Sequence, residues 1–392
     1  MNIWLIASLW VGLALLSAMI SIRVGISVAL VEIGVGVLAG NFLHLAPNDW
    51  VNFLASIGSV LLTFLAGAEI DPAALRANLK ESLTIGFFSF LAPAVGAFAT
   101  AFWIFKWNLH AAEIAGVALS TTSVAVVYAV MIESGLNETE LGKVILAACF
   151  VTDLGTVVAL GLIFANYNLW LLLFVCALTL ILWAMPRFTS WYFALVGNRV
   201  SEPEIKFVLF ILFSLGALAT LARSEAVLPA YLIGMVMARQ FLHNRVLMHR
   251  MRAIAFSILT PFYFLKAGSY VSFKAMGAGI VLIGVFFLVK MSTKVSGVLP
   301  FTSFFGFGRQ RGTYTTLLMA TGLTFGTISA LFGLTHGYIN QAQYTVLVTV
   351  VILSAVVPTV IAERFFRPEP EPVTEVRRPA PAPVVQQMES EA

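Results

Sequence analysis

Charge is what this sequence has least of. Asp, Glu, Lys and Arg make up 11% of its 392 residues, while 60% are hydrophobic and the mean hydropathy is +0.94. A soluble domain carries about a quarter charged residues, so the composition excludes that class and makes lipid the working solvent. Cysteine is nearly absent too. Cys149 and Cys176 both sit in apolar runs with no CxxC or Cys/His cluster beside them, which leaves no metal centre, redox motif or disulfide framework and makes both packing residues. Nothing in the chain pairs a nucleophile with a base. The one glycine-rich candidate for a phosphate loop, Gly306-Phe307-Gly308 before Arg309, reads as a short basic loop. The chain therefore reads as a non-enzyme without cofactor. Its net charge of +4 is scattered among loops rather than gathered on one face, so it argues against a nucleic-acid partner and for membrane topology.

Apolar runs of spanning length fall at about 3–21, 24–44, 51–68, 83–105, 112–134, 140–165, 168–185, 205–222, 225–241, 256–270, 276–299, 312–335 and 341–362. This predicts an all-α membrane protein of about thirteen helices. The first run lacks a basic n-region and a small-residue cleavage site, and is expected to be a retained span. An odd count puts the termini on opposite sides. With the N-terminus outside and the C-terminus cytoplasmic, 17 of the 23 basic residues fall on inside segments, whereas only Lys106, Arg223 and Lys274 fall outside. The pattern is that of a bacterial-type inner or plasma membrane protein. Residues 1–365 form the membrane domain; the Pro- and Glu-rich remainder, 366–392, has no hydrophobic period and is expected to be a disordered cytoplasmic tail open to an unidentified partner.

One acid lies near the middle of a spanning run: Asp153, in VILAACFVTDLGTVVALGLIF at 144–164. A carboxylate at bilayer depth costs a few kcal/mol even on the mildest insertion scales, so it persists only where something uses or pairs it. Two other runs look least like ordinary helices. One carries four consecutive hydroxyls, Ser120, Thr121, Thr122 and Ser123; the other reads Thr321-Gly322-Leu323-Thr324-Phe325-Gly326-Thr327. Hydroxyls compete for backbone hydrogen bonds and glycine weakens a helix, so both are places for a helix to unwind. Interrupted helices in two halves point to inverted-repeat transporters, whose ion site lies near the midplane. The plainer alternative is that the hydroxyls bond back to the preceding turn and the glycines serve packing.

Thr122 and Asp153 are about thirty residues apart on neighbouring antiparallel spans. Carboxylate, hydroxyl and carbonyl oxygens are hard ligands suited to Na⁺ or K⁺, with Thr121, Thr122, Ser123 and Thr152 as neighbouring oxygens. Competition of H⁺ and a monovalent cation for one carboxylate suffices for antiport; the alternative role for Asp153 is a structural ion pair. Lys266, Lys290 and Lys294 lie in or at the edge of hydrophobic runs. Lys294, in a K-x-x-G, is the expected counter-charge, with Lys290 the alternative. Snorkelling to the interface is the plain reading of Lys294, and anchoring a helix end that of Lys266. Glu32 is the other deep acid, and an interface role suits it as well as an ion site. Glu69, Asp71, Glu133 and Glu225 fall near span ends and read as interfacial.

At these residues the chain resembles the monovalent cation:proton antiporter-2 family, which includes NapA-type Na⁺/H⁺ antiporters, spore-germination cation antiporters and the membrane part of Kef-type K⁺ efflux systems. The resemblance covers roughly residues 1–365. It rests on 32–40 (EIGVGVLAG), 64–71 (FLAGAEID), 119–124 (LSTTSV), Thr152-Asp153, 228–234 (LPAYLIG), 261–268 (PFYFLKAG), 294–297 and 322–326. It implies a homodimer in which a core domain with crossed unwound helices carries the ion past a static dimerisation domain in an elevator motion. Electrogenic members carry two adjacent acids, and here the first is Thr152, which makes one-for-one electroneutral exchange the simpler expectation. A lysine at Lys294 is also a feature of electrogenic relatives. The lack of a nucleotide-binding domain argues against a complete Kef system. Rival readings are a sodium-coupled organic-anion symporter of related architecture and a passive cation channel or sensor.

Overall fold

A computed structural model of the chain describes residues 3–24, 27–70, 78–134, 136, 139–164, 169–197, 199–222 and 227–368. The expected tail from 369 onward, Asp71, Glu225 and the side chain of Glu133 lie outside the described residues. The helices are α1 (Ile3–Val24), α2 (Val28–Phe42), α3 (Asp49–Ala68), α4 (Leu79–Ala99), α5 (Leu109–Ser120), α6 (Val124–Ser134), α7 (Glu140–Ile163), α8 (Leu169–Val196) and α9 (Pro203–Leu221). There follow α10 (Val227–His243), α11 (Arg245–Ile254), α12 (Thr260–Ser269), α13 (Phe273–Ala278), α14 (Ile280–Phe304), α15 (Gly308–Met319), α16 (Thr324–Thr335) and α17 (Gln341–Ile361).

The polar residues between apolar runs do specific work at helix starts. The side chains of Asn48, Asn108, Thr139, Asn244 and Ser272 accept hydrogen bonds from first-turn amides, and Asn340 and Gln343 form a reciprocal capping box at α17. At the other end of α16, Gly337 takes φ +72°, and the amide of Tyr338 bonds back to the Gly333 carbonyl at 2.8 Å. This is the left-handed stop that glycine provides without strain.

Nine helical stretches, among the described residues, are long and apolar enough to cross a membrane, with Gly308–Thr335 counted across its interruption. The other four of the thirteen expected runs fold as shorter or divided helices. The runs 24–44 and 225–241 fold as helices of 15 and 17 residues. The run 112–134 is divided between α5 and α6. The run 256–270 is cut by a π-turn at Ala255–Leu259, leaving the 10-residue α12. Hydropathy averages over such interruptions and therefore cannot see them.

Two packing groups organise the chain. In one, α2 lies along α12 and α3 along α10. A Cβ on Gly36 or Gly40 would overlap the carbonyls of Leu265 and Ser269, and one on Gly268 that of Ile33; Gly67 and Gly234 stand in the same relation to the carbonyls of Tyr231 and Phe64. Glycine here lets two backbones touch, the small-residue packing of membrane helices. Asn41 fastens one end, its Nδ2 donating to the Val271 carbonyl at 2.7 Å and its Oδ1 accepting from the Phe273 amide at 2.9 Å. In the other group, α4 packs against α5, α7 and α14, while α16 packs against α5 and α17.

Candidate functional site

α5 stops at Ser120 and α6 starts at Val124; α15 stops at Met319 and α16 starts at Thr324. The two gaps meet. The Ser123 amide donates to the Thr321 carbonyl at 3.0 Å, and the Thr122 hydroxyl donates to the Met319 carbonyl at 2.8 Å. Backbone groups that a continuous helix would use are thus satisfied across the gaps, as burial requires. The remaining hydroxyls bond locally: Ser120 to Val117, Thr121 to Ala118 and Thr321 to Leu318 carbonyls. Gly326 places α16 close to the Ala118 carbonyl and the Thr121 hydroxyl, with a Cβ there falling 2.9 Å from each.

Asp153 lies near the centre of α7, 1% exposed. Its Oδ1 has no hydrogen-bond partner among the described residues. Lys294 is fully buried and within electrostatic reach of Asp153. Its ammonium donates to Ser89 Oγ at 2.9 Å and Thr122 Oγ1 at 3.0 Å. Lys294 therefore does not snorkel: it stays within electrostatic reach of Asp153, and its hydrogen bonds go to two hydroxyls, one of them in the first gap. Lys290 lies one turn away, equally buried, and its Nζ has no hydrogen-bond partner among the described residues. It abuts Gly322 in the second gap, where the hydroxyls of Thr121 and Ser354 also converge.

Thr152 faces elsewhere. Its hydroxyl bonds to the Gly86 carbonyl on α4 at 3.2 Å and to the Ala148 carbonyl at 3.1 Å, so in this structure it joins α7 to α4. Thr324 is only partly buried at the start of α16. Glu32 is 3% exposed on α2, packed in the other group of helices. Lys266 is buried in the last turn of α12. Glu69 forms an ion pair with Arg252 at 2.8 Å.

Sequence reading missed Ser89 and Tyr231. Ser89 is a single hydroxyl in an apolar stretch, and nothing local marks it. Tyr231 is fully buried on α10 within electrostatic reach of Asp153, and its hydroxyl donates to the Phe150 carbonyl of α7 at 3.0 Å. Its only signal is its place in LPAYLIG. A cavity of about 530 Å³ also escaped notice, lined by α3, α6, α7, α10 and α11. Its walls include Leu146, Ala147 and Phe150, within two turns of Asp153, and Lys143, Arg245, His249 and Arg252 stand around it.

The sodium/hydrogen exchanger transmembrane family matches residues 11–367. The chain is 25% identical over 353 residues to probable Na(+)/H(+) antiporter 3 of Methanocaldococcus jannaschii, covering 87% of this chain and 89% of that one. It is 26% identical over 366 residues to the Na(+)/H(+) antiporter of Enterococcus hirae, covering 89% and 94%. To the Na(+)/H(+)-K(+) antiporter GerN of Bacillus cereus it is 24% identical over 351 residues, covering 86% and 89%. Among solved structures, the sodium proton antiporter MjNhaP1 of Methanocaldococcus jannaschii at pH 8 superposes with a TM-score of 0.71 over 92% of this chain and 98% of that one, at 13% identity, a likeness of fold. These matches do not carry the narrower antiporter-2 subdivision expected from the sequence, and the structures matched are of an NhaP1 protein. With nearly its whole length matched and its helices superposing on an antiporter fold, the chain belongs to the sodium/hydrogen exchanger family.

Proposed function

We propose that the chain is a secondary antiporter that exchanges protons for Na⁺, or K⁺, at Asp153. The observation that carries this reading is a buried carboxylate with an unpartnered oxygen beside two facing helix gaps. The similarity to Na(+)/H(+) and Na(+)/H(+)-K(+) antiporters supports it. An alkali cation is held by hard oxygens, and Asp153 is the one formal anion among the groups assembled there. Thr122 supplies the adjacent hydroxyl and is presently engaged by Lys294. A cation arriving at Asp153 takes over Thr122 and displaces the Lys294 ammonium; when the cation leaves, a proton on Asp153 takes its place. At Asp153 itself this is one proton for one cation, and so electroneutral.

The cavity supplies a route. It reaches Ala147 and Phe150 from the end where basic residues gather, the cytoplasmic side by the positive-inside rule. The molecule described is then the inward-facing form, with the N-terminus outside and the C-terminus cytoplasmic. The group around α4–α7 and α14–α17 is the moving core, crossed by its two gaps. The group around α2, α3, α10 and α12 is the static partner in an elevator motion, and the short and divided helices complete the thirteen crossings. A homodimer fits the bare faces of α1 and α8, most of whose residues are exposed in the single chain.

The test is transport in proteoliposomes holding a pH gradient, with Na⁺ and then K⁺ added, with and without a voltage clamp. Asp153→Asn is expected to abolish cation-driven dissipation of the gradient while eluting as a folded, monodisperse species. Undiminished exchange by this variant would remove Asp153 from the mechanism, and voltage-sensitive exchange would overturn the one-for-one count.

A further inference from the structure

The cavity below Asp153 is oddly charged for a cation's path. Its one carboxylate, Glu69, is held by Arg252, with Arg252 Nε donating to Glu69 Oε1 at 3.0 Å. Arg245, His249 and Arg252 recur at i, i+4 and i+7 along α11 and so share one face; Lys143 on α7 stands across the cavity from that helix. Among the described residues Lys143 pairs with Glu140, an exposed pair on its own helix at 3.0 Å, of the kind that holds a side chain weakly. Arg245 and His249 have no ionic or hydrogen-bonded partner among the described residues. After the pairs are matched, the cavity keeps an unneutralised arginine beside a histidine. The rest of the lining includes Tyr128, Leu146, Phe150, Phe241, Leu242 and Met248, mostly apolar side chains.

We propose that this cavity is a binding site for a phosphate ester with an apolar body, either a soluble nucleotide-like molecule or an acidic phospholipid headgroup with its chain. Arginine matches phosphate in geometry and charge, and basic pockets between membrane helices on the cytoplasmic side hold anionic headgroups. The volume of about 530 Å³ is that of a small-molecule pocket. Phosphate oxygens lie between Arg245 and His249 on α11 and Lys143 on α7, while the apolar body rests on Phe150 and Phe241. The ligand bridges the helix that carries Asp153 to one in the other packing group, and it fills the route to Asp153. Occupancy therefore slows exchange. This last step rests on the antiport reading; the binding does not.

The experiment uses the purified full chain. Binding of ADP, with adenosine and inorganic phosphate as partial ligands, is measured by titration calorimetry in detergent. Retention of phosphatidylglycerol is measured by mass spectrometry after exchange into phosphatidylcholine nanodiscs. Saturable ADP binding that adenosine does not reproduce, at least tenfold weaker in Arg245→Ala and in His249→Ala and weakened by salt, assigns the soluble source. Phosphatidylglycerol retained by wild type and lost from the same two variants assigns the lipid source. Binding of neither probe, or binding untouched by both substitutions in protein that elutes as wild type does, overturns the proposal. Asp153→Asn is expected to bind as wild type does, so loss of exchange and loss of binding are read separately. In proteoliposomes, ADP on the side of the basic residues is expected to slow exchange at least twofold, and no effect at saturating ADP would overturn the blocking role.

Discussion

Lys290 and Lys294 are one turn apart on α14 and equally buried, yet their surroundings are opposite. Lys294 satisfies two hydroxyls, whereas Lys290 has no hydrogen-bond partner among the described residues. A buried group left without a partner costs about 1–3 kcal/mol, more when charged, and removing one partner of a made bond costs as much. The two substitutions to methionine should therefore diverge. Lys290→Met is expected to raise the unfolding temperature and Lys294→Met to lower it, each by the equivalent of about 1–3 kcal/mol, read by thermal unfolding in detergent. Equal effects of the same sign would show that the bonds to Ser89 and Thr122 contribute nothing. Thr122→Val removes the donor to Met319 and one acceptor of Lys294. It is expected to weaken apparent cation affinity as well as stability, with Thr122→Ser restoring both; rescue of stability without affinity would make Thr122 a structural residue alone.

At the scale of helices, the short motifs that marked the family in the sequence turn out to be partners. EIGVGVLAG on α2 meets PFYFLKAG on α12, and FLAGAEID meets LPAYLIG where α3 runs along α10. Their glycines stand where a side chain would strike a carbonyl. Gly268→Val is expected to cost about 1–3 kcal/mol or more, as overpacking does, and to reduce folded yield. Gly12→Val is the control, since nothing lies within 4 Å of a Cβ on Gly12. Comparable losses at both positions, measured by fluorescence-detected size exclusion, would show that close approach is not the reason for the glycine.

The same comparison shows where sequence reasoning reaches and where it stops. The gaps after Ser120 and Met319 were legible because hydroxyl runs and glycines disfavour helix locally. The lone acid was legible because its cost at depth is a property of one residue. Which motif packs on which, that Thr152 turns to α4, and that Ser89 accepts from Lys294 all depend on residues far apart in the chain, and no local pattern encodes them.

At the scale of the whole molecule, the proposed inward-facing form predicts that the cavity opens to the cytoplasmic side. On a background of Cys149→Ser and Cys176→Ser, Leu146→Cys is expected to react with a membrane-impermeant thiol reagent added on the cytoplasmic side and to be protected from the opposite side. Labelling from the outer side alone, in oriented vesicles, would reverse the assignment of the form described. Leu146 suits this test because it lines the cavity without belonging to the hydroxyl and lysine cluster.

The pairing of α2 with α12 also sets a schedule for making the protein. Asn41 finds the Val271 carbonyl 230 residues later in the chain. At about 5–20 residues per second, a ribosome needs on the order of 10–50 s to reach that partner. During this interval α2 is already synthesised and carries Glu32 with nothing from α12 to shelter it. A carboxylate in a bare nascent span is the kind of segment that an insertion machine must hold or a membrane protease finds. Biogenesis is therefore expected to be most vulnerable between the making of α2 and that of α12, an interval in which Asp153 itself is made.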